Sequence, residues 1–155
     1  DSLRPYIHRL RGVRMGREVW IGQHVYLDEM YPEAITIGDN CTIGLRATVF
    51  AHFHFGPKRE NEGCKPVVLE DSVFVGPHCV ILPGVRIGAG AVIKAGSVVT
   101  RNVPPRVFWG DAGGGPLAIA TVPLTRSTTY AQFIEGLEPL SPAPGTGTQE
   151  GAIRG

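Results

Sequence analysis

The chain has 155 residues, a length that fits one domain, with 15 basic and 14 acidic residues and a net charge of +1. This balance argues against a general nucleic-acid binder, and 43% hydrophobic against 19% charged residues argues against a disordered chain. No apolar run approaches the roughly 18 residues that cross a bilayer, and three cysteines without a CxxC pair favour reduced thiols. We therefore expect a cytoplasmic protein that binds neither nucleic acid nor membrane.

Residues 1–14 form the first predicted element, a helical cap. The apolar residues of this segment recur at helical spacing among several arginines, at Leu3, Tyr6, Ile7 and Leu10. We expect a short amphipathic helix that covers the open end of the repeat that follows it.

A six-residue repeat begins at residue 15. Its first position is aliphatic, its second is often glycine and its fifth is small or β-branched, as in IGDNCT and IGLRAT from Ile37 and in VGPHCV, ILPGVR, IGAGAV and IKAGSV from Val75. A period of six fits neither a helix nor a two-residue alternation, and it predicts a very short strand and a turn, repeated. Three hexads close a triangular coil, and stacked coils bury their aliphatic residues against one another. The fold class is therefore predicted as an all-β solenoid over 15–122.

Two interruptions and a different C-terminal composition complete the predicted organisation. Four residues are inserted near 32–36, and the segment 53–66 lacks the hexad pattern, so we expect it to project from one coil as a loop that can carry function. Residues 123–140 are predicted to hold a short helix with Ser127 or Thr128 as its N-cap and Gly136 near its end. The composition of 141–155 predicts a disordered tail.

The hexads resemble those of the hexapeptide-repeat family over about Met15 to Pro104. The stretch from ATVFAHFH through the loop to VVTRNVPP is similar to the galactoside, maltose and xenobiotic acetyltransferase branch. The resemblance implies a left-handed parallel β-helix, an exception to the usual right-handed crossover. The short helices predicted above from the terminal segments would lie at its two ends. The resemblance also implies transfer of an acetyl group from acetyl-CoA, without a metal, to a hydroxyl of a sugar or other small-molecule acceptor. The implied assembly is a homotrimer with its sites between subunits, and N-acetylation of an amino sugar stays open.

The resemblance also assigns roles to individual residues. His52 falls at the position of the catalytic base, which would take the proton of an acceptor hydroxyl as that oxygen attacks the thioester. Asp28 falls where the family holds the acceptor, although it could instead orient His52 or serve as a turn residue. Further candidates for acceptor binding are Glu33 in the insert, His54 and Phe74. On the acetyl-CoA side the implied residues are Ala95, Gly96, Thr100 and Arg101, and the planar guanidinium of the last suits phosphate.

The sequence departs from the family pattern at part of the expected donor site, and two alternative functions also stay open. Pro77 lacks the backbone N–H that a small residue would offer at its position, and the chain reads WGDAGGGP where relatives carry G-x-P-A. One alternative is a non-catalytic β-helix that serves as an assembly module. The other is a metalloenzyme like the γ-class carbonic anhydrases, whose histidine spacing is not reproduced by His52, His54 and His78.

Overall fold

The computed structural model describes residues 3–52, 64–110, 116–123, 125 and 127–140. Within these ranges the chain passes through three parallel sheets in turn, and each coil adds one strand to each sheet. The first sheet contains β1 (Arg14–Met15), β4 (Ile35–Ile37), β7 (Val67–Leu69) and β10 (Arg86–Ile87). The second contains β2 (Trp20–Ile21), β5 (Thr42–Ile43), β8 (Phe74–Val75) and β11 (Val92–Ile93). The third contains β3 (Tyr26–Leu27), β6 (Thr48–Val49), β9 (Val80–Ile81) and β12 (Val98–Val99).

The hydrophobic core runs along the axis of these coils. The second residue of a typical strand points inward and stacks on its counterpart one coil away, as Ile43 does on Val75 and Leu27 on Val49. These inward residues are the aliphatic first positions of the hexads, and those of the second and third sheets are 0% exposed at Ile21, Ile43, Val75, Ile93, Leu27, Val49, Ile81 and Val99. Burying one such side chain contributes about 1.5–3 kcal/mol, so the repeat itself supplies most of the apolar burial.

Two of the three cysteines are small corner residues of this core. The thiols of Cys41 and Cys79 are buried and donate to the carbonyls of Glu70 and Lys94, each at 3.0 Å. Burial raises the pKa of Cys41 to about 11 and shifts the pKa of Cys79 in the same direction. Both thiols are therefore protonated at neutral pH.

An α-helix, α1 (Arg4–Leu10), precedes the first coil. His8 is buried on the side that faces the coil, Arg9 donates to the carbonyls of Met15 and Gly16, and Arg11 donates to the carbonyl of Leu27 at 3.3 Å. These contacts fasten the helix to the first coil. Its other side stays exposed at Leu3, Tyr6, Ile7 and Leu10. In the described part of the chain, neither this helix nor any other is long and apolar enough to span a membrane.

The C-terminal part adds strands that the hexad pattern does not predict. After β13 (Val107–Trp109), which pairs in parallel with β11, the strands β14 (Pro116–Ala120) and β15 (Leu137–Pro139) join the second sheet in antiparallel orientation. A second helix, α2 (Tyr130–Glu135), has Thr129 as its N-cap, so the expectation of Ser127 or Thr128 was wrong. Only Thr129 has a glutamine three residues later, and Gln132 completes a capping box with it.

Candidate active site

His52 and Asp28 meet where two neighbouring coils turn from the third sheet towards the first. We call this corner, formed by the residues that follow β3, β6, β9 and β12, the third-to-first edge. Because β3 pairs in register with β6, the residues that follow these strands are neighbours, and the N–H of Asp28 donates to the carbonyl of Val49 at 3.0 Å. The Nδ1 atom of His52 lies 2.5 Å from Oδ2 of Asp28, and the two residues are 6% and 0% exposed.

Asp28 is the centre of the local hydrogen-bond network. Its Oδ1 accepts the N–H groups of Met30 at 3.0 Å and Tyr31 at 3.2 Å, and its Oδ2 accepts the N–H of Ala51 at 2.8 Å as well as the His52 ring. Burial pushes the pKa of Asp28 upward, but the hydrogen bonds from Ala51, His52, Met30 and Tyr31 together outweigh it and hold the pKa below its usual value. The carboxyl group is therefore ionised at neutral pH.

The charge of Asp28 fixes the protonation pattern of the imidazole. An ionised carboxylate can only accept hydrogen bonds, so the proton of a neutral His52 ring sits on Nδ1, which faces Asp28. The other ring nitrogen, Nε2, is then the basic one. A carboxylate, an imidazole and a basic Nε2 in this order form the arrangement that accepts a proton from a hydroxyl group and stabilises the resulting imidazolium.

The four-residue insert supplies a third side chain to this site. It forms a 3₁₀ turn at Pro32–Ala34, and the residue before that turn, Tyr31, packs its ring against His52 with 5.4 Å between ring centroids. The hexad pattern did not identify Tyr31 as a site residue, although its position three residues after Asp28 in an insert was a usable signal. Glu33, the candidate within the turn, is exposed, and in the described part of the chain Asp28 accepts its hydrogen bonds from Met30, Tyr31, Ala51 and His52 instead.

The chain leaves the coils for the segment predicted to form a loop and rejoins them at the same edge. His54 and the rest of 53–63 lie outside the described residues, but the chain returns at Lys65, whose N–H donates to the carbonyl of Ala51 at 2.7 Å. The carbonyl of Lys65 in turn accepts the N–H of Gly84 at 3.3 Å. Both described ends of the loop are thus next to His52, as its sequence position suggested.

Phe74 lies away from this edge. It belongs to β8 in the second sheet, where its outward side chain is half-buried and packs with the cluster of Val92, Ala120 and Phe133. Within one chain the structure therefore does not bring Phe74 to the Asp28–His52 pair. The hexad frame itself places Phe74 there, directly before the inward Val75 of β8, and the C-terminal segment then covers it.

The residues expected on the acetyl-CoA side divide between two edges. Thr100 stands above Phe50 with Leu82 between them, since Phe50 donates to Ile81 and Leu82 donates to Val99, both at 3.0 Å. Thr100 and Arg101 are thus on the third-to-first edge, two coils or about 10 Å from the level of Phe50. Ala95 and Gly96 are exposed at the edge between the second and third sheets, where the N–H of Gly96 donates to the carbonyl of Pro77 at 2.9 Å.

Arg101 has a contact that its sequence position did not indicate. Its guanidinium lies 5.3 Å from the ring centroid of Trp109, the buried aromatic residue of β13. This cation–π contact ties the exposed arginine to β13 of the second sheet. Arg101 therefore has a structural contact beside any contact with phosphate.

Histidine, cysteine and acidic side chains do not gather into a metal site in the described ranges, where no group of three or more of them could hold a metal ion. His54 lies outside these ranges.

Comparisons with known proteins identify relatives of the repeat. Residues 66–101 match the family model "Bacterial transferase hexapeptide (six repeats)", and residues 34–50 match "Hexapeptide repeat of succinyl-transferase". The Bacillus subtilis protein YvoF, named as a candidate acetyltransferase, is 36% identical over 107 residues, which cover 69% of this chain and 59% of that protein. The galactoside O-acetyltransferase of Escherichia coli is 35% identical over 111 residues, covering 69% of this chain and 52% of that enzyme.

A solved structure of a hexapeptide-repeat acetyltransferase is also similar to this chain. A hexapeptide-repeat acetyltransferase of Vibrio cholerae, complexed with acetyl coenzyme A, superposes with a TM-score of 0.52 at 32% identity, covering 68% of this chain and 64% of that one. The chain thus spans between half and two thirds of the length of these relatives.

Proposed function

Because the chain belongs to the hexapeptide-repeat acyltransferase family, we propose that it transfers an acetyl group from acetyl-CoA to a hydroxyl group of a sugar or another small molecule. The observation that carries the proposal is the buried hydrogen bond of 2.5 Å between Asp28 and His52 at the mouth of the projecting loop. The relatives named for acetyl transfer to a galactoside or solved with acetyl-CoA support the same chemistry. From the similarity to hexapeptide-repeat acetyltransferases, we expect the coils of this chain to be left-handed.

In the proposed reaction His52 is the general base. Its Nε2 takes the proton of the acceptor hydroxyl as the oxygen forms a bond to the carbonyl carbon of the thioester. When the carbon–sulfur bond breaks, the imidazolium returns that proton to the departing sulfur, which leaves as the CoA thiol. Asp28 keeps the proton of the neutral ring on Nδ1 and stabilises the imidazolium, and general-base help of this kind is worth about 10² to 10⁴ in rate.

Asp28 is proposed to orient His52, and other residues are proposed to bind the acceptor. The carboxyl group of Asp28 is 0% exposed and both its oxygens already accept two hydrogen bonds each, which favours an orienting role. Glu33 and His54 remain the proposed contacts for the acceptor, since the insert and the loop flank His52. Phe74 could reach an acceptor only from a neighbouring subunit, in the proposed homotrimer.

The donor is proposed to lie along the third-to-first edge. Thr100 and Arg101 share that edge with His52, so a long, thin molecule with its phosphates near Arg101 would extend its thioester towards the imidazole. A guanidinium offers a planar fork of donors that matches phosphate oxygens. Ala95 and Gly96 lie on the adjacent edge, so they are proposed to contact the pantetheine arm of a donor bound at a neighbouring subunit's site in the proposed homotrimer. Gly96 leaves room there because nothing lies within 4 Å of the place a Cβ would occupy.

Two variants test whether His52 acts in the chemical step and Arg101 in donor binding. His52→Ala is expected to lower kcat by about 10²-fold or more and leave the Kd for CoA within about twofold, because the base acts only as the acceptor attacks. Arg101→Ala is expected to weaken full-length acetyl-CoA about tenfold and a pantetheine-length donor much less. Acetyl transfer and CoA binding by calorimetry measure both effects, with the thermal stability of Arg101→Ala recorded because of its contact with Trp109.

The matched control is His54→Ala, which removes the neighbouring imidazole and keeps His52. If His54→Ala were inactive and His52→Ala stayed active, the general base would be His54 and not His52. If both variants kept full turnover, the reaction would not use a histidine base. A wild-type chain that bound no acyl-CoA would instead favour a non-catalytic assembly module.

A further inference from the structure

We infer that Tyr31 is a positioning residue for His52, with its ring fixing the plane of the imidazole. The inference rests on the proposed function for its kinetic consequence. It starts from the contact between the two rings, which lie 5.4 Å apart at an interplanar angle of 61°. Aromatic rings prefer such edge-to-face arrangements over parallel stacking at this distance, so the contact favours one orientation of the imidazole.

The ring of Tyr31 is itself held in place. It is half-buried and packs against the main hydrophobic core, and the N–H of Tyr31 donates to Oδ1 of Asp28 at 3.2 Å. A residue anchored at both its main chain and its side chain loses little further freedom when it contacts a third group. Tyr31 therefore acts as a fixed wall beside the imidazole.

The hydrogen bond to Asp28 alone does not fix the ring of His52. One hydrogen bond at Nδ1 tolerates a range of angles, so some rotation about the Cβ–Cγ bond remains, and that rotation moves Nε2. A contact on the face or edge of the ring removes that rotation. Asp28 and Tyr31 therefore have separate roles, because the carboxylate sets which nitrogen carries the proton and the tyrosine ring sets where Nε2 points.

The main-chain and side-chain roles of Tyr31 can be separated by substitution. Tyr31→Ala keeps the N–H that Asp28 accepts and removes only the ring, so the charge and partners of Asp28 persist. Tyr31→Phe keeps the ring and removes the hydroxyl. The chain also offers a control in Tyr6, a tyrosine of α1 that is 57% exposed and lies outside the coils.

The experiment combines kinetics with NMR of the His52 ring, assigned by the loss of its signals in His52→Ala. In the wild type we expect one set of ring signals with the proton on Nδ1. Tyr31→Ala is expected to shift or split that set and to lower kcat about tenfold with the Kd for CoA unchanged. Tyr31→Phe should restore both readouts, and Tyr6→Ala should alter neither.

Each other outcome has a defined meaning. If Tyr31→Ala leaves the His52 signals and kcat unchanged, as Tyr6→Ala does, the inference is overturned. If Tyr31→Phe is as impaired as Tyr31→Ala with normal His52 signals, the hydroxyl acts directly and the positioning role is wrong. Should Tyr31→Ala fail to fold, Tyr31→Leu removes the ring and keeps an apolar side chain. A wild type without transferase activity would contradict the proposed function, while the NMR comparison would still decide the role of Tyr31.

Discussion

Asp28 is a fully buried charge whose cost of desolvation is offset by its neighbours. Burial of a carboxylate without partners would favour its neutral form. Here three main-chain N–H groups and one imidazole donate to it, from Met30, Tyr31, Ala51 and His52. The same four bonds join the insert to the exit of the second coil. One side chain therefore holds the local structure and orients the proposed base.

The stability contributed by Asp28 is predicted to depend on pH. Its pKa is lower in the folded chain than in the unfolded one, so the unfolded chain takes up the proton first as the pH falls. The contribution is then complete above about pH 4, the ordinary range of an aspartate. It is lost as the pH falls through the lower folded pKa.

Asp28→Asn measures this dependence. The amide cannot accept from Ala51 and the His52 ring as a carboxylate does, and leaving buried donors without acceptors costs about 1–3 kcal/mol. Urea unfolding between pH 7 and pH 3 is expected to show wild type more stable at pH 7, with the difference shrinking below about pH 4. The exposed Glu138→Gln serves as the control and should follow wild type throughout. A gap that stayed constant down to pH 3 would mean that Asp28 is not the ionised partner.

At the scale of the element, most strands are two residues long, and they persist because every coil supports the next. A two-residue strand cannot stand alone, but each one here pairs on both sides except at the ends of the solenoid. The close approach of successive turns explains the glycine that follows many inward residues. A Cβ on Gly76 would lie 2.6 Å from the N atom of Ala95 and 2.7 Å from the carbonyl oxygen of Ile93, both in the rigid coil above.

A pair of glycine substitutions separates close approach from backbone conformation. Gly76→Ala is expected to cost about 3 kcal/mol, because the new methyl group would overlap main-chain atoms of the next coil. Gly96→Ala should cost only about 1 kcal/mol, because Gly96 has a positive φ of 75° and an open surrounding. Chemical denaturation of both variants checks the order. Equal losses, or a larger loss for Gly96→Ala, would show that successive turns can spread to admit a side chain.

On the scale of the whole molecule, the three sheets present different outer surfaces. The C-terminal strands and α2 pack over the upper part of the second sheet, through Phe133 against Val92. The first sheet carries charge on its outer face at Arg14 and Arg86, whereas the third sheet is uncharged there, with Tyr26, Thr48, Val80 and Val98. The third sheet also borders the edge that holds His52. This uncharged face is the surface that the proposed trimer would bury.

Sedimentation tests the trimer directly. Wild type is expected to show about three times the mass of one chain at micromolar concentration, because a closed symmetric assembly would cover the uncharged face. Val98 is 52% exposed within one chain, so Val98→Asp should lower the mass towards that of the monomer without unfolding the coils. Melting temperatures should rise with protein concentration in wild type and not in the variant. A wild-type mass near that of one chain, with transferase activity intact, would remove the trimer.

The sequence by itself determined the solenoid and the position of His52. A repeat of six places like residues over like with every coil, so each strand and each inward residue follows from contacts with adjacent coils. His52 was assigned through the resemblance of ATVFAHFH to the acetyltransferase branch, at the point where the regular frame breaks. The thiols of Cys41 and Cys79 and the aliphatic ladders followed from the same local rule.

Only the tertiary structure decided what surrounds His52. Asp28 lies 24 residues away from it, and whether its carboxylate would face an acceptor or the imidazole depended on how two coils and an insert meet. The contact of Tyr31 with His52 and the covering of Phe74 have the same origin, since the turn after Tyr31 and the C-terminal segment both lie outside the repeat. A repeat specifies its nearest-neighbour contacts, whereas inserts and terminal segments take their positions from whatever surfaces the finished coils expose. For this reason the core could be predicted from the sequence, whereas the arrangement of the side chains around His52 could not.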